Sequence, residues 1–65
     1  MSIELAVHGM ACEGCEQNVE EALKSVPGVT GARADRETDS ATVDGEADTA
    51  ALVEAVEDAG YEASA

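Results

Sequence analysis

The sequence has no phenylalanine or tryptophan, and Tyr61 is the only aromatic residue among its 65 residues. Its apolar residues are mostly alanine and valine, so any core must be small and aliphatic. A chain of this length buries only about 60% of the surface that its unfolded form exposes. We therefore expect a single domain over residues 1–65, built as one sheet against one layer of helices, with no room for a deep enzyme cavity.

Basic residues are also scarce, because Lys24, Arg33 and Arg36 face fifteen acids and the net charge is −12. Such a charge argues against nucleic acid and anionic membranes as partners. High net charge is typical of disordered chains, but the regular apolar patterns described below favour a folded domain with an acidic surface. We interpret the acidity as halophilic, since counterions in molar salt screen self-repulsion. An acidic docking face for one basic partner is the alternative interpretation.

Neither a signal peptide nor a membrane-spanning segment is recognisable in the sequence. The first residues lack a basic region followed by a long apolar run. No apolar run approaches the roughly 20 residues that a helix needs to cross a bilayer. We therefore expect a cytoplasmic protein without direct membrane insertion, in a compartment that keeps cysteines reduced.

Two segments show the spacing of an amphipathic helix, with apolar residues at positions i, i+3, i+4 and i+7. The two stripes are Val19, Ala22, Leu23 and Val26, and Leu52, Ala55, Val56 and Ala59. The helices are expected to run from Glu13 to the Pro27-Gly28 turn, and from an N-cap at Asp48 or Thr49 to Gly60. The acids of the first helix, including Glu16 and Glu20, are expected to face mostly outward.

Four other segments are predicted as short strands from apolar alternation and flanking turn residues. They cover residues 2–7, 29–35, 41–44 and 61–65. The spacing of small apolar residues in the second strand predicts a β-bulge near Gly31. The order β-α-β-β-α-β predicts the ferredoxin-like fold, an α+β sandwich with a four-stranded antiparallel sheet and two helices on one face.

Cys12 and Cys15 are the only cysteines, and they lie between the first predicted strand and the first predicted helix. The helix dipole and free backbone N–H groups at a helix start lower thiol pKa values and favour the thiolate. Residues three apart at that position are close enough to bind one ion together. Two sulfurs without an obvious third or fourth ligand favour a soft, low-coordinate cation, and Cu(I) is the first candidate.

The segment Gly9-Met10-Ala11-Cys12-Glu13-Gly14-Cys15 resembles the Gly-Met-x-Cys-x-x-Cys signature of the heavy-metal-associated domain family. That family includes copper chaperones and the amino-terminal domains of copper-transporting P-type ATPases. The resemblance extends over nearly the whole chain, including residues 27–29, 41–43 and 53–61. It implies that Cys12 and Cys15 are the metal ligands, that Met10 points into the core, and that Tyr61 lies beside the site.

The resemblance implies a soluble copper chaperone rather than an enzyme. Such a protein passes Cu(I) by thiolate exchange to the metal-binding domain of a copper-transporting P-type ATPase. The starting Met1 and a domain that fills the chain favour a free-standing chaperone. We expect it to be a monomer, with a metal-bridged homodimer as the alternative. We expect contact rather than charge to guide docking, through a small apolar patch of Met10, Ala11 and Tyr61.

Other roles remain open for the same residues. The chain is alternatively a detached ATPase domain, or a carrier of mercury or another soft metal. A small thiol oxidoreductase is an alternative of another class, although the only proline, Pro27, lies outside the Cys-x-x-Cys segment. A closed zinc site needs about four ligands, and the sequence offers two cysteines and His8. We prefer an exposed position at a strand end for His8, with a weak third ligand as the alternative.

Overall fold

The computed structural model describes residues 2–65, and it has the predicted βαββαβ order of elements. None of its helices is long and apolar enough to cross a membrane. The elements are β1 (Ser2–His8), α1 (Glu13–Lys24), β2 (Val29–Asp35), β3 (Ser40–Gly45), α2 (Thr49–Asp58) and β4 (Glu62–Ser64).

The four strands form one sheet in the order β2-β3-β1-β4, and every neighbouring pair is antiparallel. This confirms the predicted ferredoxin-like fold. Both helices cover the same face, where side chains of β1 and β3 meet the two apolar stripes. The fully buried residues are Leu5, Val7, Val19, Leu23, Ala41, Val43, Leu52 and Val56.

The predicted bulge in β2 is confirmed by a register shift between Val29 and Gly31 against β3. A bulge places an extra residue in one strand and bends it. After the bulge, β2 runs as the outer strand beside β3 as far as Asp35. The strand therefore presents one row of backbone groups to β3 and the opposite row to the edge of the sheet.

One predicted core position is wrong, because Ala59 is exposed. Helix α2 ends at Asp58, and Ala59 is the C-cap, so the apolar stripe stops one turn earlier than its spacing suggests. Gly60 follows with a φ of 98°, as expected for a residue that ends a helix in the left-handed region. The last strand is also shorter than predicted and begins after Tyr61.

Candidate metal centre

The loop between β1 and α1 carries both cysteines, and its conformation depends on Gly9 and Met10. Gly9 has a φ of 101°, which L side chains rarely adopt, and it turns the chain out of β1. Met10 is only 7% exposed and belongs to the core, as predicted. Its buried side chain is therefore not part of the exposed apolar patch predicted with Ala11 and Tyr61, and the prediction is wrong for Met10.

Cys12 is the N-cap of α1, and Cys15 lies in its first turn. The carbonyl oxygen of Cys12 accepts hydrogen bonds from the backbone N–H groups of Cys15 at 3.1 Å and Glu16 at 3.2 Å. Both thiols are free, and their sulfur atoms lie 3.4 Å apart. Cys12 is exposed and Cys15 is half-buried. The arrangement presents two sulfurs to one point at the surface.

The sulfur separation is compatible with one shared cation. Metal–sulfur bonds of about 2.3 Å, the length for zinc thiolates, hold two sulfurs at most about 4.6 Å apart when the site is linear. At 3.4 Å the pair is therefore within reach of one ion in a bent geometry. A linear geometry would require the two sulfurs to lie about 1 Å further apart than they do here.

Tyr61 lies beside the cysteines because of how α2 ends. The N–H groups of Gly60 and Tyr61 donate to the carbonyl oxygens of Glu57 at 3.0 Å and Val56 at 3.2 Å. These two bonds form a Schellman motif, which reverses the chain after the helix. The Tyr61 ring comes to lie next to Gly9, where an added Cβ would be 3.7 Å from the ring. The predicted position of Tyr61 near the site is thus confirmed.

Hydrogen bonds to its sulfur lower the pKa of Cys15 from 9.0 to about 7. The largest contribution is the hydroxyl of Tyr61, followed by the backbone N–H of Ala11 and the side chain of Cys12. These donors stabilise the thiolate relative to the thiol. The same hydrogen bond raises the pKa of Tyr61, because the neutral hydroxyl donates it and loses it on ionisation. A substantial fraction of Cys15 is therefore thiolate near neutral pH.

Asn18 is a further residue of the site that we did not predict. Its side-chain Nδ2 donates to the Tyr61 hydroxyl oxygen at 3.5 Å. Asn18 lies one turn after Cys15, on the same side of α1, so the i, i+3 spacing from a candidate ligand was the signal available in the sequence.

His8 is exposed at the end of β1, as preferred from the sequence. Its Nδ1 lies 3.8 Å from the carboxylate of Asp39. Within residues 2–65, no three His, Cys, Asp or Glu side chains are placed to hold a metal ion together. The part of the chain that the structure describes therefore offers a two-sulfur site, and a closed four-ligand zinc site is absent from it.

Two acids of α1 do not face outward as predicted. Glu16 and Glu20 are half-buried, and their carboxylates accept hydrogen bonds from the backbone of β2 and the turn that follows. Glu16 Oε2 accepts from the N–H of Arg36 at 2.7 Å, and Glu20 Oε2 accepts from the N–H of Ala34 at 3.0 Å. The first turn of the cysteine-bearing helix is thus joined to the edge of the sheet.

The chain matches the family model of the heavy-metal-associated domain over residues 4–62. It is 44% identical over 63 residues to copper-transporting ATPase 2 of Rhizobium meliloti, covering 94% of this chain and 8% of that protein. It is 42% identical over 60 residues to mercuric reductase of Acidithiobacillus ferrooxidans, covering 89% of this chain and 11% of that protein. The chain thus spans about a tenth of the length of these relatives.

Among solved structures, the CopZ metallochaperone superimposes with a TM-score of 0.93 at 31% identity. The match covers 98% of this chain and 100% of that one.

Proposed function

Since the chain belongs to the heavy-metal-associated domain family, we propose that it is a copper chaperone that binds Cu(I) between Cys12 and Cys15. The observation that carries the proposal is the pair of free thiols with sulfurs 3.4 Å apart at the start of α1. Soft thiolates suit Cu(I), and the lowered pKa of Cys15 supplies one of them near neutral pH. The role is binding and transfer of a cargo ion rather than catalysis.

Transfer proceeds by exchange of thiolates. A cysteine thiolate of the partner forms a bond to Cu(I), which is then held by three sulfurs. The bond to the exposed Cys12 breaks first, because that sulfur can move away into solvent. A second partner thiolate then displaces Cys15. Each partner thiol loses a proton before it binds and each released cysteine gains one, so charge and protons balance.

The partner in this proposal is the metal-binding domain of a copper-transporting P-type ATPase. The similarity to CopZ over all of that chain supports the free carrier role. The similarity to a copper-transporting ATPase of Rhizobium meliloti supports a partner that carries a region similar to this chain. The carrier acts as a cytoplasmic monomer, and the exposed Ala11 with the Tyr61 ring forms the contact surface around Cys12.

The acidic surface fits work in concentrated salt. A net charge of −12 on 65 residues opposes compaction at low ionic strength. At about 1 M salt the screening length is about 3 Å, so distant acids repel one another little. We expect Tm to rise substantially from low salt to molar KCl, as measured by circular dichroism. A melt that does not depend on salt would instead favour a local acidic docking face.

A carrier of mercury is the second candidate, and the similarity to a mercuric reductase supports it. Two thiolates suit Hg(II) as well as Cu(I), because both are soft cations. The two candidates share the same ligands and differ in the ion found on the protein and in the partner that receives it.

Native mass spectrometry of the protein, purified without oxygen and under reducing conditions, tests the proposal. One copper ion per monomer is expected, with loss of the ion in Cys12→Ser and retention in Met10→Leu. Copper transfer to an ATPase domain, followed in molar KCl, tests the chaperone role. Mercury on the purified protein would favour the second candidate. Reduction of insulin disulfides at a catalytic rate, with no bound metal, would overturn both in favour of a thiol oxidoreductase.

A further inference from the structure

We propose that Glu16 and Glu20 are positioning residues that hold α1 in register against β2 and so hold Cys15 in place for its metal ion. The inference rests on the proposed role of Cys15 as a ligand. Neither carboxylate contacts a sulfur, and both act through the backbone bonds that they accept from Arg36 and Ala34. We call this pair of bonds the carboxylate clamp.

The geometry of the clamp follows from two regular spacings. Glu16 and Glu20 are four residues apart on α1, which corresponds to a rise of about 6 Å along the helix. Ala34 and Arg36 are two residues apart in extended chain, which corresponds to about 6.8 Å. The two carboxylates therefore match two backbone N–H groups on the same side of β2. The pairing of 16 with 36 and 20 with 34 means that helix and strand run in opposite directions.

The bonds are available because β2 lies at the edge of the sheet. Alternate residues of an edge strand point their N–H groups away from the neighbouring strand. Without the carboxylates, the half-buried N–H groups of Ala34 and Arg36 would lack these acceptors. Bonds between an ionised carboxylate and a backbone N–H are stronger than those between neutral groups. A slip of α1 by one residue would break both bonds at once, so the clamp selects one register.

Glu16 connects this register to the candidate metal centre, because it follows Cys15 directly in the first turn of α1. The Arg36 guanidinium adds a second contact to the same carboxylate, with Nη1 3.3 Å from Oε1. That ion pair is partly exposed and contributes little by itself. The backbone bond of 2.7 Å is the main restraint on the turn. Cys15 is thereby held to the sheet, whereas Cys12 lies outside the clamp on the exposed loop.

The test compares Glu16→Ala, Glu20→Ala and the double variant with Glu16→Gln, whose amide oxygen still accepts the bond. Glu21→Ala is the matched control, because Glu21 is an exposed acid on the same helix. The full chain is studied in molar KCl, where circular dichroism confirms that each variant is folded. The direct measurement is hydrogen exchange of the Ala34 and Arg36 amides in the metal-free protein. The functional measurement is competition for Cu(I) with a Cu(I)-specific chelator.

Removal of both carboxylates should speed exchange of the two amides and weaken Cu(I) binding by about tenfold, the lower end of the effect of residues that orient metal ligands. Glu16→Gln should retain most of the affinity, and Glu21→Ala should match the wild type. If the double variant does not fold, amide exchange and Cu(I) affinity are compared between Glu16→Ala and the wild type instead. A folded variant with fast exchange and unchanged affinity would overturn the proposal.

Wild-type protein that fails to bind Cu(I) would instead overturn the proposed function. In that case protected amides in the wild type would still show the clamp, and Hg(II) would replace Cu(I) as the probe for the positioning effect. Unprotected Ala34 and Arg36 amides in the folded wild type would overturn the clamp itself, whatever the metal. The two failures are therefore distinguishable.

Discussion

The two helices cover the same face of the sheet with nearly the same apolar stripe, yet they begin in different ways. Helix α2 has a conventional N-cap, in which Asp48 Oδ1 accepts from the N–H of Ala50 at 3.1 Å. Helix α1 has Cys12 at the N-cap, with no side-chain cap bond. A good cap would place a hard oxygen where the site needs a soft sulfur. The start of α1 therefore gives up local stability for its candidate function.

The helices also differ in what holds them to the rest of the molecule. Helix α1 is joined to β2 by the carboxylates of Glu16 and Glu20. Within residues 2–65, no hydrogen bond joins a side chain of α2 to the sheet, and the helix is held to it by the packing of apolar residues such as Leu52 and Val56. The start of α1, which has no side-chain cap, is thus followed within one or two turns by hydrogen bonds to β2 and the residue after it.

The largest effect should come from exchanging the sulfur at the N-cap of α1 for an oxygen. Cys12→Ser should weaken Cu(I) binding by orders of magnitude, because a hydroxyl is a poor ligand for a soft cation. The same variant should stabilise the metal-free protein by up to about 1 kcal/mol, since serine is a good N-cap. Chelator competition and urea unfolding measure the two quantities. Lower stability of the metal-free variant would contradict the interpretation that cysteine at the N-cap lowers the stability of α1.

Substitutions on the buried faces of the two helices should lower the free energy of unfolding by similar amounts. Leu23 of α1 and Leu52 of α2 are both fully buried, so Leu23→Ala and Leu52→Ala should each lower the free energy of unfolding by about 2–5 kcal/mol. A domain of this size has a total stability of roughly 3–10 kcal/mol, so both variants should lie near the limit of folding. Urea unfolding in molar KCl is the measurement. A loss confined to one variant would show that the two stripes are not equivalent.

The cap of α2 should contribute a smaller amount. Asp48→Ala removes the acceptor for the Ala50 N–H and should lower the free energy of unfolding by about 1 kcal/mol. Copper affinity in the folded state should stay unchanged, because Asp48 lies outside the candidate metal centre. Asp48→Asn, which keeps a capping oxygen, is the control. A marked loss of affinity in the folded Asp48→Ala protein would show that the two helix starts are coupled.

The smallest expected effect is the dependence of stability on pH, which arises at the start of α1 from the ionisation of Cys15. Its folded pKa of about 7 lies below the usual 9.0, so ionisation stabilises the folded state. That contribution is complete above pH 9.0 and is lost as the pH falls through about 7. Tyr61→Phe removes the largest cause of the shift and should raise the pKa of Cys15 toward 9.0. Alkylation of Cys15 at pH 7, followed by mass spectrometry, should therefore slow in Tyr61→Phe. An unchanged rate of alkylation would show that Tyr61 does not lower the pKa of Cys15.

Much of the fold was predictable because it depends on local patterns. The helical stripes, the Asp48 cap, the Gly60 terminus and the bulge near Gly31 follow from spacing and turn chemistry over a few residues. Both cysteines and the buried Met10 were placed by the segment of seven residues that contains them. Ala59 was misplaced because a helical stripe does not by itself mark the residue at which the helix ends.

Local patterns along the chain define the order of elements and place the pair of sulfurs at the start of α1. What surrounds those sulfurs depends on contacts between residues that are far apart in the sequence. Glu16 contacts a residue 20 positions away and Asn18 one 43 positions away, and no local pattern encodes such pairs. Glu16 and Glu20 look like solvent-facing acids until β2 is known to be an edge strand with outward N–H groups. Their roles depend on which strand lies at the edge of the sheet, and the packing of the whole chain determines that.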